Sequence, residues 1–159
     1  MRRVLVLFAL AVLTVVPITT ARADRPSEID LLTQVNAERA KVGLPPLLER
    51  EEIGGMAEFH STDMADREVL EHNEHYFTDQ THEQLGCPFL GENVGVGRSV
   101  EEVHRLVMES PTHRENVLSD RFQYIGIGIV QGRDGRWWVT EDFAECPQGD
   151  DQPAPPPSS

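Results

Sequence analysis

The 159 residues carry 27 acidic side chains against 14 lysines and arginines, a formal net charge of -13, with 39% hydrophobic residues. A field of that sign repels phosphate backbones and anionic headgroups, which disfavours nucleic-acid binding and electrostatic docking to a membrane. The acidity suits solubility outside a cell better than a cation-binding role, and the length suits one domain with a real core rather than two.

Met1-Arg2-Arg3, the apolar run Val4 to Val16, Pro17 and the small-residue site Ala21-Arg22-Ala23 read as a secretory signal peptide, residues 1–23, cut before Asp24. The apolar run is shorter than the roughly 20 residues that span a bilayer. No cysteine follows the site directly, and the arginine pair lacks a fuller twin-arginine context, so general export without a lipid anchor is expected. The leader holds three arginines and no acid, so its removal makes the chain more acidic still.

Ser27-Glu28-Ile29-Asp30 has the form of a capped helix start, and Ile29, Leu32 and Val35 continue at helical spacing until Gly43 and Pro45. A second helix is predicted from Glu51 to Arg67, with Ile53, Met56, Ala57, His60 and Met64 on one stripe. His60 therefore reads as a core histidine satisfied by a neighbour rather than as a ligand. From Glu68 to Gly91 the periodicity fades, leaving His72, His75 and His82 in a long connection that would border any cleft.

Ser99-Val100-Glu101-Glu102 again caps a helix, whose apolar face holds Val100, Val103 and Val107, with His104 packing or hydrogen-bonding under a sheet. Pro111 permits a new helical turn with Thr112 and His113 early in it. Phe122 to Val130 alternates, Gly132-Arg133-Asp134-Gly135 is a turn signal, and Arg136 to Ala144 completes a hairpin. Gly126 and Gly128 would let a helix or strand approach closely. Cys87 and Cys146 are the only cysteines, and an even pair in an exported chain reads as a disulfide, worth up to about 4 kcal/mol by loop entropy. Residues 147–159 form a proline-rich tail, expected to be disordered.

Candidate chemistry lies in three separated segments: Leu70-Glu71-His72-Asn73, Gly91-Glu92-Asn93-Val94, and Ser110 to Leu118 with His113. Neutral imidazole and carboxylate are groups that zinc and similar ions accept, but His72 and His113 are too far apart for a single-helix metal motif. Read from the residues alone, the same groups could equally form a buried hydrogen-bonded cluster that fixes three loops.

These segments, together with Ser99 to His104, Met108 to Ser110 and Trp138 to Ala144, resemble the CAP superfamily, also called the SCP domain, which includes cysteine-rich secretory, antigen-five and plant pathogenesis-related proteins. The closer likeness is to its secreted actinobacterial branch, and it runs from about Ile29 to Ala144. The resemblance implies an α/β fold, a three-layer α-β-α sandwich with a central antiparallel sheet, over residues 24–146. It also implies a cavity of two histidines and two glutamates, whose first histidine falls on His72, first glutamate on Glu92 and second histidine on His113. Ser110 stands where the second glutamate is expected. Glu109, one residue away, is turned from the sheet by helical phase. Asn116 is expected to close the turn around His113.

The implied function is a secreted, extracellular, monomeric binding or interaction module. Its cavity would hold a divalent metal such as zinc on His72, Glu92 and His113, or a small apolar ligand, with a lipid or cell-envelope component as partner and no membrane span in the mature chain. The alternative is a metal-assisted hydrolase of an extracellular peptide or envelope substrate. Against it, a metal-bound Glu92 could not also be the general base, and no nucleophile elbow is present. A cavity vestigial in this branch, leaving only a scaffold, is a third reading that Ser110 allows.

Overall fold

A computed structural model describes residues 25–147. The expected leader and the expected tail beyond Pro147 lie outside these residues. The elements in chain order are α1 (Arg25–Lys41), β1 (Leu48–Glu49), α2 (Glu51–Arg67), α3 (Asp79–Leu85), β2 (Phe89–Gly97), α4 (Val100–Glu109), α5 (Pro111–Val117), β3 (Tyr124–Gln131) and β4 (Trp137–Glu145). The strands form one sheet in the order β1-β3-β4-β2.

The two-residue period of the hairpin divides the molecule into layers. Ile125, Ile127, Ile129, Val139 and Phe143 pack with Leu31 and Val35 of α1, Val103 and Val107 of α4, and Val117 of α5. The alternate residues face α2: Tyr124 and Ala144 cluster with Ile53, and Val130 and Trp138 with Met64 and Ala65. This is an α-β-α sandwich. α2 lies directly on the strand backbone, because a Cβ at Gly126 would fall 2.3 Å from the Ile53 carbonyl carbon and one at Gly128 would fall 2.3 Å from the carbonyl of Ala57. Only glycine permits that approach. Ser61 fastens the contact by donating to Gly128 O at 2.9 Å.

Arg39 holds α1 to the far side. Its buried guanidinium donates to the carbonyls of Pro45, Val117, Ser119 and Phe122. The Cys87–Cys146 disulfide is present, with Cα atoms 4.2 Å apart, joining the chain just before β2 to the end of β4.

The fold corrects the sequence reading in three places. α1 already includes Arg25, so Ser27 lies inside the helix and not at its cap; serine in a helix interior costs only a few tenths of a kcal/mol, roughly, so the capping signature alone does not stop a helix. The stretch from Glu68 to Gly91 contains α3, capped by the Thr78 side chain and ended by Gly86 in the left-handed region. The sheet is not wholly antiparallel, since β1 pairs parallel to β3.

Candidate functional site

β2 carries Glu92 at the edge of the sheet, opposite Asp142 of β4. Glu92 is only 4% exposed. Its Oε1 accepts from the Asn73 backbone N–H at 2.9 Å and from His72 Nδ1 at 2.7 Å. A carboxylate oxygen only accepts, so the His72 proton sits on Nδ1 and the Nε2 lone pair is left free. The His72 side chain is 56% exposed and so presents that lone pair to solvent.

On the inner side, His60 Nε2 lies 3.8 Å from Glu92 Oε2 and donates to the Glu71 carbonyl at 2.9 Å. His60 was expected to be a satisfied core histidine outside the cluster. It is satisfied, but it stands against Glu92, because its place on the α2 stripe points it at the same sheet face.

Burial and the adjacent Glu92 carboxylate push the Asp142 carboxyl well above the usual carboxylate range. Glu92 Oε2 and both Asp142 carboxyl oxygens are buried without a hydrogen-bond partner among the described residues. Neither carboxyl's neighbourhood would tolerate two charges so close.

The opposite face positions His113. Asn93, next along β2, donates to the His113 carbonyl at 3.0 Å and to Glu141 Oε2 at 2.9 Å. Asn116 donates to Asn93 Oδ1 at 3.0 Å and to the Glu92 carbonyl at 3.2 Å. Asn116 thus ties α5 to β2; it does not close its own turn. The His113 ring stands 6.5 Å from that of His72, centre to centre, at 63°. Burial, and then the neighbouring His72, lower its pKa below the ordinary histidine value, so it is neutral near pH 7.

The structure therefore gathers His72, Glu92 and His113 around the middle of β2. Glu109 points away and pairs with Arg105 at 2.8 Å. His75 is exposed, His82 bonds the Cys87 carbonyl, and His104 is buried on α4. A groove of about 440 Å³, lined by Asn73, Met56, Phe59 and Tyr76 among others but not by His72, Glu92 or His113, lies along α2. Phe59, at its rim, is 75% exposed.

The model of the cysteine-rich secretory protein family, CAP, matches residues 32–143. The chain belongs to the CAP family. This CAP domain is 33% identical over 133 residues to the protein YkwD of Bacillus subtilis, covering 77% of the chain but only 51% of YkwD. Among solved structures, it resembles an outer surface protein from Borrelia burgdorferi (TM-score 0.70, 15% identity, 80% of this chain and 99% of that one). It also resembles an extracellular protein containing a SCP domain from Bacillus anthracis (TM-score 0.63, 22% identity, 76% and 40%). At such identities the structural likeness speaks for the fold.

The arrangement does not fit a metal as it stands. Two imidazoles bound to one tetrahedral zinc have ring centres about 5 Å apart, given metal–nitrogen bonds near 2.0 Å. The rings of this CAP domain are more than an ångström wider, and no group of three histidine, cysteine or carboxylate side chains among the described residues is placed to hold an ion. The sequence reading gave Asp142 and Glu141 no place in the site, although both lie in the segment Trp138 to Ala144 that carries part of the resemblance. Their signal was two adjacent acids inside the largely apolar run Trp137 to Ala144, where burial demands partners.

Proposed function

We propose that this is an exported CAP binding module of the secreted actinobacterial type, comprising residues 24–146 after cleavage of residues 1–23, and that its cleft grips the polar end of a small amphipathic ligand such as a lipid. The observation that carries the reading is the hydrogen bond from His72 Nδ1 to buried Glu92, which leaves Nε2 free opposite a neutral His113. The free Nε2 lone pair of His72 can accept from a hydroxyl group, the neutral His113 imidazole facing the same space can accept from or donate to a hydroxyl or carbonyl group, and the fixed Glu92 holds His72 in register. The groove along Met56, Phe59 and Tyr76 offers an apolar wall of the size that small-molecule sites use.

The disulfide fits an oxidising compartment. No helix among the described residues is long and apolar enough to cross a membrane.

The test is a titration of the purified protein with a fluorescent fatty acid, in the presence and absence of a chelator, followed by the same titration of a variant combining His72→Ala with His113→Ala. Saturable binding that survives chelation and weakens at least tenfold in the variant is expected. Stoichiometric metal in the purified protein, together with hydrolysis of an envelope or peptide substrate that the chelator abolishes, would overturn the reading in favour of the metal-assisted hydrolase.

A further inference from the structure

Among the described residues β2 is an edge strand, paired on one side with β4. Its register shows which backbone groups face outward. Ile125 turns its carbonyl to β1, where it accepts from Arg50 N at 3.0 Å. The odd residues of β3 therefore bond toward β1 and the even ones toward β4. Carried through the pairs Gly126↔Asp142 and Gly91↔Phe143, this alternation makes the even residues of β2 turn both N–H and C=O away from the sheet. Asn116 gives an independent check, since it reaches the Glu92 carbonyl from outside the ladder. Farther along, the outward N–H and C=O groups of Val94 and Val96 have no hydrogen-bond partner among the described residues.

The two edges of the sheet differ in how they are protected. β1 is two residues long, too short to template a partner. β2 is nine residues long, contains no lysine, arginine or proline, and buries its only charge, Glu92. Soluble proteins ordinarily blunt a long edge with lysine, proline or a bulge. Here none of those devices is present.

We propose that the β2 edge takes an extended, basic polypeptide segment as a fifth strand, running along Val94 to Gly97 and stopping where α5 covers Glu92. Outward amide groups repeat every second residue, about 6.8 Å apart, a spacing that only another extended chain satisfies. Charge selects the partner: with a formal charge of -13 on each molecule, a second copy is repelled and a basic segment attracted. This inference does not depend on what the His72–His113 cleft binds.

The probe is an eight-residue peptide alternating lysine and threonine, titrated into ¹⁵N-labelled protein with chelator present, beside the same peptide N-methylated at every residue. Methylation keeps the charge and removes every backbone N–H. In the free protein the Val94 and Val96 amides should exchange rapidly with solvent. The unmethylated peptide should shift and protect them, and the methylated one should bind at least tenfold more weakly. Equal binding by both peptides, shifts centred elsewhere, no saturable shift at all, slow exchange of these amides in the free monomer, or a dimer paired through β2 would each overturn the proposal.

Discussion

Replacing Glu141 with glutamine tests the electrostatics of the interior. Glu141 is 1% exposed, and its Oε2 accepts from Asn93 Nδ2 at 2.9 Å. Burial pushes its pKa from 4.5 up to about 7, partly offset by that hydrogen bond. The folded state therefore keeps a proton that the unfolded chain releases, and stability falls as pH rises through the interval between the two values. The slope is at most about 1.4 kcal/mol per pH unit, and the whole interval amounts to about 3 kcal/mol. Glu141→Gln preserves shape and acceptor but does not titrate. Urea unfolding of both proteins at pH 5, 6 and 7.5 should show the wild type gaining on the variant by about 2 kcal/mol toward acid pH, since pH 5 already lies above the unfolded value. Asp142 shifts in the same direction as Glu141, while the lowered His104 and His113 act oppositely below about pH 6.5. All three are common to both proteins and cancel in the difference. Parallel stability curves across this range would refute the assignment of a neutral, buried Glu141.

Gly128→Ala should lower Tm by about 3–10 °C, because its Cβ would meet the α2 backbone at 2.3 Å and overpacking costs about 1–3 kcal/mol. Gly55→Ala, in α2 with open space around it, should instead raise stability by about 0.5–1 kcal/mol; circular dichroism melts of the two decide, and equal effects would refute the close packing. Arg39→Met strands four carbonyl acceptors and should cost about 3–5 kcal/mol in urea unfolding, with a loss below 1 kcal/mol contradicting the buried role assigned to it. Replacing Cys87 and Cys146 together with serine should cost about 2–4 kcal/mol, read from thermal melts of oxidised wild type beside the variant.

The elements that a sequence shows best are those whose burial follows a period. α2 spans Glu51–Arg67 as its apolar stripe predicts, and α4 begins after Ser99, whose side chain accepts from Glu102 N. The hairpin turns at Gly132–Gly135, with Gly132 N donating to the Arg136 carbonyl. α3 was hidden because seven residues bury only Thr81 and Leu85, too few to display a period. Within the site, the motif segments pointed to His72, Glu92 and His113, whereas Asp142 and Glu141 show in the sequence only as two adjacent acids in a strand, and their partners Glu92 and Asn93 follow from the cross-strand register. His60 illustrates the same limit. Its helical phase was readable, but its distance from Glu92 depends on how closely Gly126 and Gly128 let α2 descend.

That register also explains how one short patch of sheet serves both faces. Glu92 and Asn93 are consecutive, as are Glu141 and Asp142, and the pairs Glu92↔Asp142 and Asn93↔Glu141 stand side by side. The pleat sends the first pair toward α2 and the second toward α5. The first pair fixes His72 through a carboxylate, and the second fixes the His113 backbone through an amide. The separation of the two imidazoles is consequently set by the pairing of β2 with β4, not by either loop alone. A one-residue slip would exchange the two pairs, bringing Asn93 under His72 and Glu92 under α5. The Cys87–Cys146 bond stands at the end of that same strand pair, two residues from Phe89 and one from Glu145, where it resists such a slip. The covalent clamp and the cleft are thus parts of one register.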